Sequence, residues 1–334
     1  MKPNILVSIP RNFIDIVSTP EDREKLEEFA NVKWNIFERQ FTEEELRELI
    51  RDIDGVITSW GSPPITKRVL ENANRLKIIG HAAGTIKPYI CPEVIEKGIV
   101  LINVASEIAY SVAEFTLALM LNLLRLIPQH VKAFQEGKEN VYKKENLMKT
   151  RDLRGRVVGI IGVGNVARKL IELLKPFNVK ILAYDPYLPD DNARSLGIIK
   201  VDLVTLLRES EIITVHAAYT PETRHMIGEK ELSLVKDGTI FVYTARAGIV
   251  DQETLIREAL KGRIMVALDT FEKPIPQNHP ARNHPNIILT PHIAGPSGER
   301  RRKLFGRIVE NFKIFFQGGT PPDIIPPEKL PVLA

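Results

Sequence analysis

The stretch GIIGVGNVARKL, residues 159–170, decides the fold. It reads as an apolar strand that turns sharply on glycines and runs straight into a helix. Gly162, Gly164 and Ala167 fit the spacing G-x-G-x-x-G/A. Each position has a mechanical reason: Gly162 permits the tight turn, Gly164 lets the backbone approach a pyrophosphate, and a small residue at 167 lets helix and strand pack closely. The new helix then offers free N–H groups and a positive dipole end to phosphate. Nearly half of the chain precedes this turn, so it does not open the protein.

The next apolar run, VKILAYD, ends in Asp185, which lies 21 residues beyond Gly164. An acid there accepts hydrogen bonds from a ribose diol and repels a 2′-phosphate. The following PYLPDD adds acid and no arginine. The pattern therefore favours NAD over NADP.

Outward from the turn, an alternating series continues through EIITVHA, TIFVYTA, IMVALDTF and NIILTP. These runs are rich in Ile and Val, as buried parallel strands are, and amphipathic segments separate most of them. DQETLIREALKG opens on a capping residue, Asp251, and stops at Gly262. The first third repeats the theme with NILVSI, VKWNIF, GVITS, LKIIGHA and IVLINV, and TEEELRELI carries a capping box from Thr42 to Glu45. The sequence thus predicts an α/β protein of two doubly wound domains. Between the two series lie a long helix from Glu107 to about Leu126 and a polar stretch, residues 132–156, with almost no apolar periodicity. The chain closes on a segment, residues 297–319, whose stripe of Leu304, Ile308, Phe312 and Phe316 predicts one helix in need of a partner surface.

Composition agrees with this and narrows the function. A chain of 334 residues is too long for one core, and 44% hydrophobic with 26% charged residues is ordinary for a globular protein. The net charge of +4 is scattered, and RRRK at 300–303 reads as a solvated helix face, so no nucleic-acid partner is expected. The single cysteine, Cys91, excludes an internal disulfide and points to a reducing, cytoplasmic setting. The most apolar run, FTLALMLNLL at 115–124, sits between Glu114 and Arg125 and predicts a core helix, with no membrane partner.

Polar residues after the later strands converge on a ligand bound at the carboxyl edge of the sheet. VYTARAGIVD places Arg246 there, and LTPHIAGPS places His292. An arginine grips a carboxylate through two parallel hydrogen bonds, and a histidine exchanges a proton near neutral pH. With a nicotinamide between them, the pair suits hydride transfer at the carbon next to a carboxylate.

In order and spacing, GVGNVA…AYDP, TPETRHMI, TARAGIVD, ALDTFEKP and LTPHIAG resemble the D-isomer-specific 2-hydroxyacid dehydrogenases, the family of phosphoglycerate, glycerate and D-lactate dehydrogenases. The resemblance implies a Rossmann NAD-binding domain, residues 106–295, inserted into a flavodoxin-like substrate domain made of residues 1–105 and 296–334, with the active site in the cleft between them. It implies that Arg246 binds the substrate carboxylate and that His292 is the acid in reduction and the base in oxidation, its family glutamate partner being either deleted here or replaced in space by Glu272. Gly162, Gly164, Asn165, Val166, Asp185, Thr223, Thr244, Ala245, Asp269, His292 and Gly295 fall on the cofactor side. The backbone at Ala83 and Gly84 in HAAGT falls on the substrate side; Trp60 in SWGSPPIT reads either as a side-chain-pocket residue or as a core or surface residue. No metal is implied, and the helix from Glu107 resembles the family's dimerisation segment, which implies a homodimer.

The chain also departs from that family. The usual pattern is D-V-F-x-x-E-P, whereas this chain reads DTFEKP at 269–274, one residue short. Glu272 is then the one carboxylate between Asp269 and the proline. Tyr243, Ala247 and Ala218 replace the more usual asparagine, glycine and proline, and Ile86 and Lys87 occupy the stretch where an aspartate often follows the carboxylate loop. The short segment motivates the rival reading, an NAD-sensing, partner-binding protein on the same scaffold with weak or no catalysis.

Overall fold

A computed structural model describes residues 2–332. The chain divides into two compact units, Met1–Ile108 with Pro296–Leu333, and Ala109–Gly295. Both are built on parallel sheets.

The first unit carries β1 (Asn4–Val7), β2 (Asn31–Trp34), β3 (Gly55–Thr58), β4 (Ile78–His81) and β5 (Val100–Asn103). They pair in the order β2-β1-β3-β4-β5, every pair parallel, which is the flavodoxin-like doubly wound order. Ile5, Leu6 and Val7 on β1 and all of β3 and β4 are buried, as expected of strands covered on both faces. The predicted capping box forms: Thr42 accepts from the Glu45 N–H, and Glu45 accepts from the Thr42 N–H.

The C-terminal stripe packs onto this same sheet. A Cβ added at Gly80 would lie 2.6 Å from Ile308 Cγ2 and Phe312 Cε2, so the absence of a side chain there lets the helix lie down on β4. The segment is two helices, Gly298–Arg302 and Leu304–Phe316, where the sequence predicts one. Ser297 caps the first, and the break at Lys303 lets the second turn Leu304, Phe305, Ile308, Val309 and Phe312 wholly inward.

The second unit carries β6 (Val157–Ile161), β7 (Lys180–Tyr184), β8 (Ile199–Lys200), β9 (Ile212–Val215), β10 (Ile240–Tyr243), β11 (Met265–Leu268) and β12 (Ile287–Leu289). The order β12-β11-β10-β9-β6-β7-β8 is the dinucleotide-binding order with one further strand, again all parallel. Strand β8 escapes sequence reading because two exposed residues on an edge carry no hydrophobic pattern. The polar stretch is also more ordered than its sequence predicts. It holds helices Ile127–Gln135 and Glu139–Asn146, whose Val131, Phe134 and Val141 face outward and so make no buried stripe.

The long helix runs Ala105–Leu124. It starts two residues before the expected Glu107, and its 20 residues make it, by length and composition, long and apolar enough to cross a membrane. Its Ala113, Leu119, Met120, Leu123 and Leu124 pack in the core of the second unit with Val158, Ile160 and Leu170.

Truncating Phe312 to alanine removes a fully buried ring from the core that joins the two ends of the chain in the first unit. The expected cost is about 3–5 kcal/mol, read as a lower urea midpoint; an unchanged midpoint would remove the helix from that core.

Candidate active site

The glycine turn has the geometry its sequence requires. Gly162 sits at φ +85°, and a Cβ there would come within 2.5 Å of the Ala217 N and Cα, so both conformation and space demand glycine. Gly164 is the N-cap of the helix Asn165–Leu174, and a Cβ built on it meets nothing within 4 Å. That open side, beside uncapped N–H groups at the helix start, fits a pyrophosphate. Ala167 is fully buried where helix meets strand.

Asp185 follows β7 and closes over the turn. Its Oδ2 accepts from the Val163 N–H at 2.8 Å and its Oδ1 from the Tyr187 N–H at 2.9 Å. These bonds fix the carboxylate and leave lone pairs for a diol. The residues present therefore fit an NAD molecule at this edge.

Beyond the turn, several expected cofactor contacts have structural duties. The Thr223 hydroxyl accepts from the Thr220 N–H at 2.8 Å and donates to the Ala218 carbonyl at 2.7 Å, which ties up its own turn. Thr244 is buried and shares a hydrogen bond of 3.0 Å with the Thr116 hydroxyl, while Ala245 packs against the core. At Gly295 a Cβ would meet nothing within 4 Å.

Asp269, expected on the cofactor side, is 0% exposed and is bound up with the backbone. Its Oδ1 accepts from the Thr290 hydroxyl at 2.7 Å and the Ile293 N–H at 2.9 Å, and its Oδ2 from the Ala294 N–H at 2.9 Å. Two backbone amides and a hydroxyl thus clasp the loop after β12 to the end of β11. His292 rides on that loop with φ +57°, a left-handed conformation that a non-glycine residue keeps only where its surroundings impose it. Its side chain is exposed.

Arg246 follows β10 and is braced by a residue that sequence reasoning marks only as a departure. Tyr243 is 2% exposed; its hydroxyl donates to the Arg246 carbonyl and accepts from the Ile249 N–H at 3.1 Å. Burial pushes the Tyr243 phenol up to about 12, so it stays a neutral donor. Burial also pulls the Arg246 guanidinium below its ordinary range, though it remains a cation. Arg246, Ala247, Thr270, Phe271, His292 and Tyr219 line one cavity of about 340 Å³.

Glu272 does not line that cavity. Its Oε2 lies 2.8 Å from Nε2 of His225, a different histidine. The reason is local: the Glu272 N–H donates to the Gln252 side chain at 2.8 Å, which turns the short segment toward the helix Gln252–Leu260.

The first unit presents the other expected residues. The carbonyls of Ala82, Ala83 and Gly84 accept from the Ser59 hydroxyl, the Val104 N–H and the Asn103 amide. The N–H groups of Ala83 and Gly84 have no acceptor among the described residues, as a backbone cradle for a carboxylate requires. Trp60 packs at the core edge with the Arg301 guanidinium 5.0 Å over its ring. His81, at the end of β4, is held near 3 by burial and is no proton donor at neutral pH. No metal-ligating cluster occurs among the described residues.

A dinucleotide turn, with an arginine and a histidine lining one cavity in the same unit, is an arrangement that suits a nicotinamide-dependent oxidoreductase. Comparison with known proteins makes the class specific. Residues 117–294 match the model of the D-isomer specific 2-hydroxyacid dehydrogenase NAD-binding domain. A D-3-phosphoglycerate dehydrogenase of Methanocaldococcus jannaschii is 35% identical over 86% of this chain, which spans 56% of that protein. A hydroxypyruvate reductase of Thermotoga maritima is 33% identical over 91% of this chain and 97% of its own length. A crystal structure of a Pyrococcus horikoshii protein superposes with a TM-score of 0.82 at 28% identity over 100% of both chains. The chain belongs to the D-isomer-specific 2-hydroxyacid dehydrogenase family and is an NAD-dependent oxidoreductase.

Asp269→Asn tests the clasp. An asparagine amide turns an N–H₂ toward backbone donors, so the loop carrying His292 shifts. Misplacement of about 1 Å costs on the order of 100-fold, so kcat should fall by about that much while NADH affinity changes little. A large loss of NADH binding with kcat intact would return Asp269 to the cofactor.

Proposed function

We propose that this protein interconverts a small 2-oxo acid and its D-2-hydroxy acid, with Arg246 holding the substrate carboxylate and His292 exchanging the proton. One observation carries the assignment: Arg246 and His292 line the same cavity in the unit that carries the dinucleotide turn. With its pyrophosphate at that turn, a bound NAD would supply the hydride for the carbonyl carbon or accept it back. The chain's own residues do the rest. Arg246 supplies two parallel N–H donors, and its partly buried charge polarises the carbonyl. His292 gives a proton to the carbonyl oxygen in reduction and receives it in oxidation. The free amides of Ala83 and Gly84 support a role in carboxylate binding, and Trp60 one in the side-chain pocket. The volume of about 340 Å³ suits a small acid.

The exposed Ile127, Val131, Phe134, Val141, Leu147 and Met148 give the second unit an apolar surface that supports a homodimer. The lone cysteine supports a cytoplasmic setting.

Turnover of a panel of 2-oxo acids with NADH tests the reading; no turnover of any member overturns it. Asp185 makes a cofactor prediction. NADH should give a much higher kcat/KM than NADPH, because a 2′-phosphate would meet an unpaired negative charge. Equal values would remove Asp185 from the ribose.

Arg246→Lys keeps the charge and loses the fork. It should cost ~2–4 kcal/mol in kcat/KM for the 2-oxo acid with NADH affinity unchanged. Wild-type turnover in this variant would take Arg246 out of the reaction.

A further inference from the structure

The cavity of Arg246 and His292 contains a hydroxyl that the reaction above does not use. Thr270 lines it and is 5% exposed. Its Oγ1 is closed off from solvent with no hydrogen-bond partner. A buried hydroxyl left in that state is unfavourable. A single staggered step in χ1 carries Oγ1 to the place of Cγ2, and Cγ2 to that of the Cβ hydrogen, without moving the backbone, so the hydroxyl has a second position within reach.

His292 has the complementary lack. Its ring makes no hydrogen bond among the described residues. The carboxylate expected to serve it, that of Glu272, is held by His225 at 2.8 Å. None of the six residues lining the cavity is acidic. Yet an imidazole that must present one nitrogen to substrate needs a partner on the other to set its tautomer and orientation. Two neutral side chains in the cavity could act, Tyr219 and Thr270. Tyr219 is 44% exposed and open to water, whereas Thr270 is enclosed. Thr270 is also fixed relative to the histidine loop. Its neighbour Asp269 holds the N–H groups of Ile293 and Ala294, so Thr270 and His292 each lie one residue from the same clasp.

We propose that Thr270 is the positioning residue of His292, its hydroxyl accepting the ring N–H that faces away from substrate. It takes the place a carboxylate would fill, and it orients the ring without adding charge. The proposal rests on the reading of His292 as the proton-exchanging group.

The test compares Thr270→Val, which keeps the shape, with Thr270→Ser, which keeps the hydroxyl. Loss of one orienting hydrogen bond should lower kcat of the valine variant about tenfold, with the KM for 2-oxo acid and the affinity for NADH unchanged. Serine should restore most of that loss. Nitrogen-15 NMR of His292 should show one neutral tautomer in the wild type and in the serine variant, and a mixture in the valine variant. Thr270→Ala gives the same readings should valine not be accommodated. An unchanged kcat without the hydroxyl, a serine variant as impaired as valine, or a tautomer indifferent to residue 270 overturns the proposal. If the wild-type protein turns over no 2-oxo acid, the functional reading falls separately, and the tautomer comparison alone decides whether Thr270 and His292 are partners.

Discussion

The Asp269 carboxylate at the end of β11 fixes the course of the loop that carries His292. It is closed off from water, and its two oxygens take three donors from residues 290–294. Such a group is costly to bury unless fully hydrogen-bonded, so the loop has little freedom to choose another course. The left-handed backbone at His292 is a result of this. An imposed conformation at one residue is sustained by an anchor that spans both sides of it.

The same principle holds Arg246. A buried phenol bonds the carbonyl of Arg246 and the amide of Ile249, bridging the turn from beneath. In each case a strand ends, the next residues leave the ladder, and a buried polar side chain from the strand's own terminus reaches forward to stiffen the adjoining loop. The carboxyl edge of a parallel sheet is suited to this, because every strand delivers its loop to the same side. Catalytic geometry of this kind depends on such supporting contacts as much as on the reacting groups themselves.

The range of each interaction decides how much of this is legible in the sequence. All five strands of the first unit carry their own hydrophobic signal, as do six of the seven in the second, and each signal lies at about the observed place of its strand. The exception, β8, is too short and too exposed to carry one. The glycine turn is legible because its constraint is local: a positive φ at Gly162 and an open side at Gly164 can be inferred from residue type. The partner of Glu272 is not. Deleting one residue leaves the order of side chains intact but changes where they point, and the Gln252 and His225 that capture the segment lie 20 and 47 residues away. Asp269 is conspicuous by position yet its duty is hidden, because a carboxylate bonded to ligand and one bonded to backbone are the same letter in a sequence. Tyr243 is visible only as an oddity for a similar reason: its hydroxyl acts on residues three and six places ahead, through a turn whose shape the sequence does not state.

The contact of Phe312 and Ile308 with Gly80 has a consequence for how the protein is made. The sheet of the first unit is complete in residues 4–103, but the helix Leu304–Phe316 that packs on it leaves the ribosome only after the intervening unit. The intervening unit, Ala109–Gly295, is contiguous and can close as soon as it emerges. At about 5–20 residues per second, the first sheet waits roughly ten to forty seconds with one apolar face only partly covered, by Ile14, Val17 and Leu26, while the second unit is synthesised. The second unit can therefore close before the first has its last helix. During that interval the newborn chain most needs protection from its neighbours.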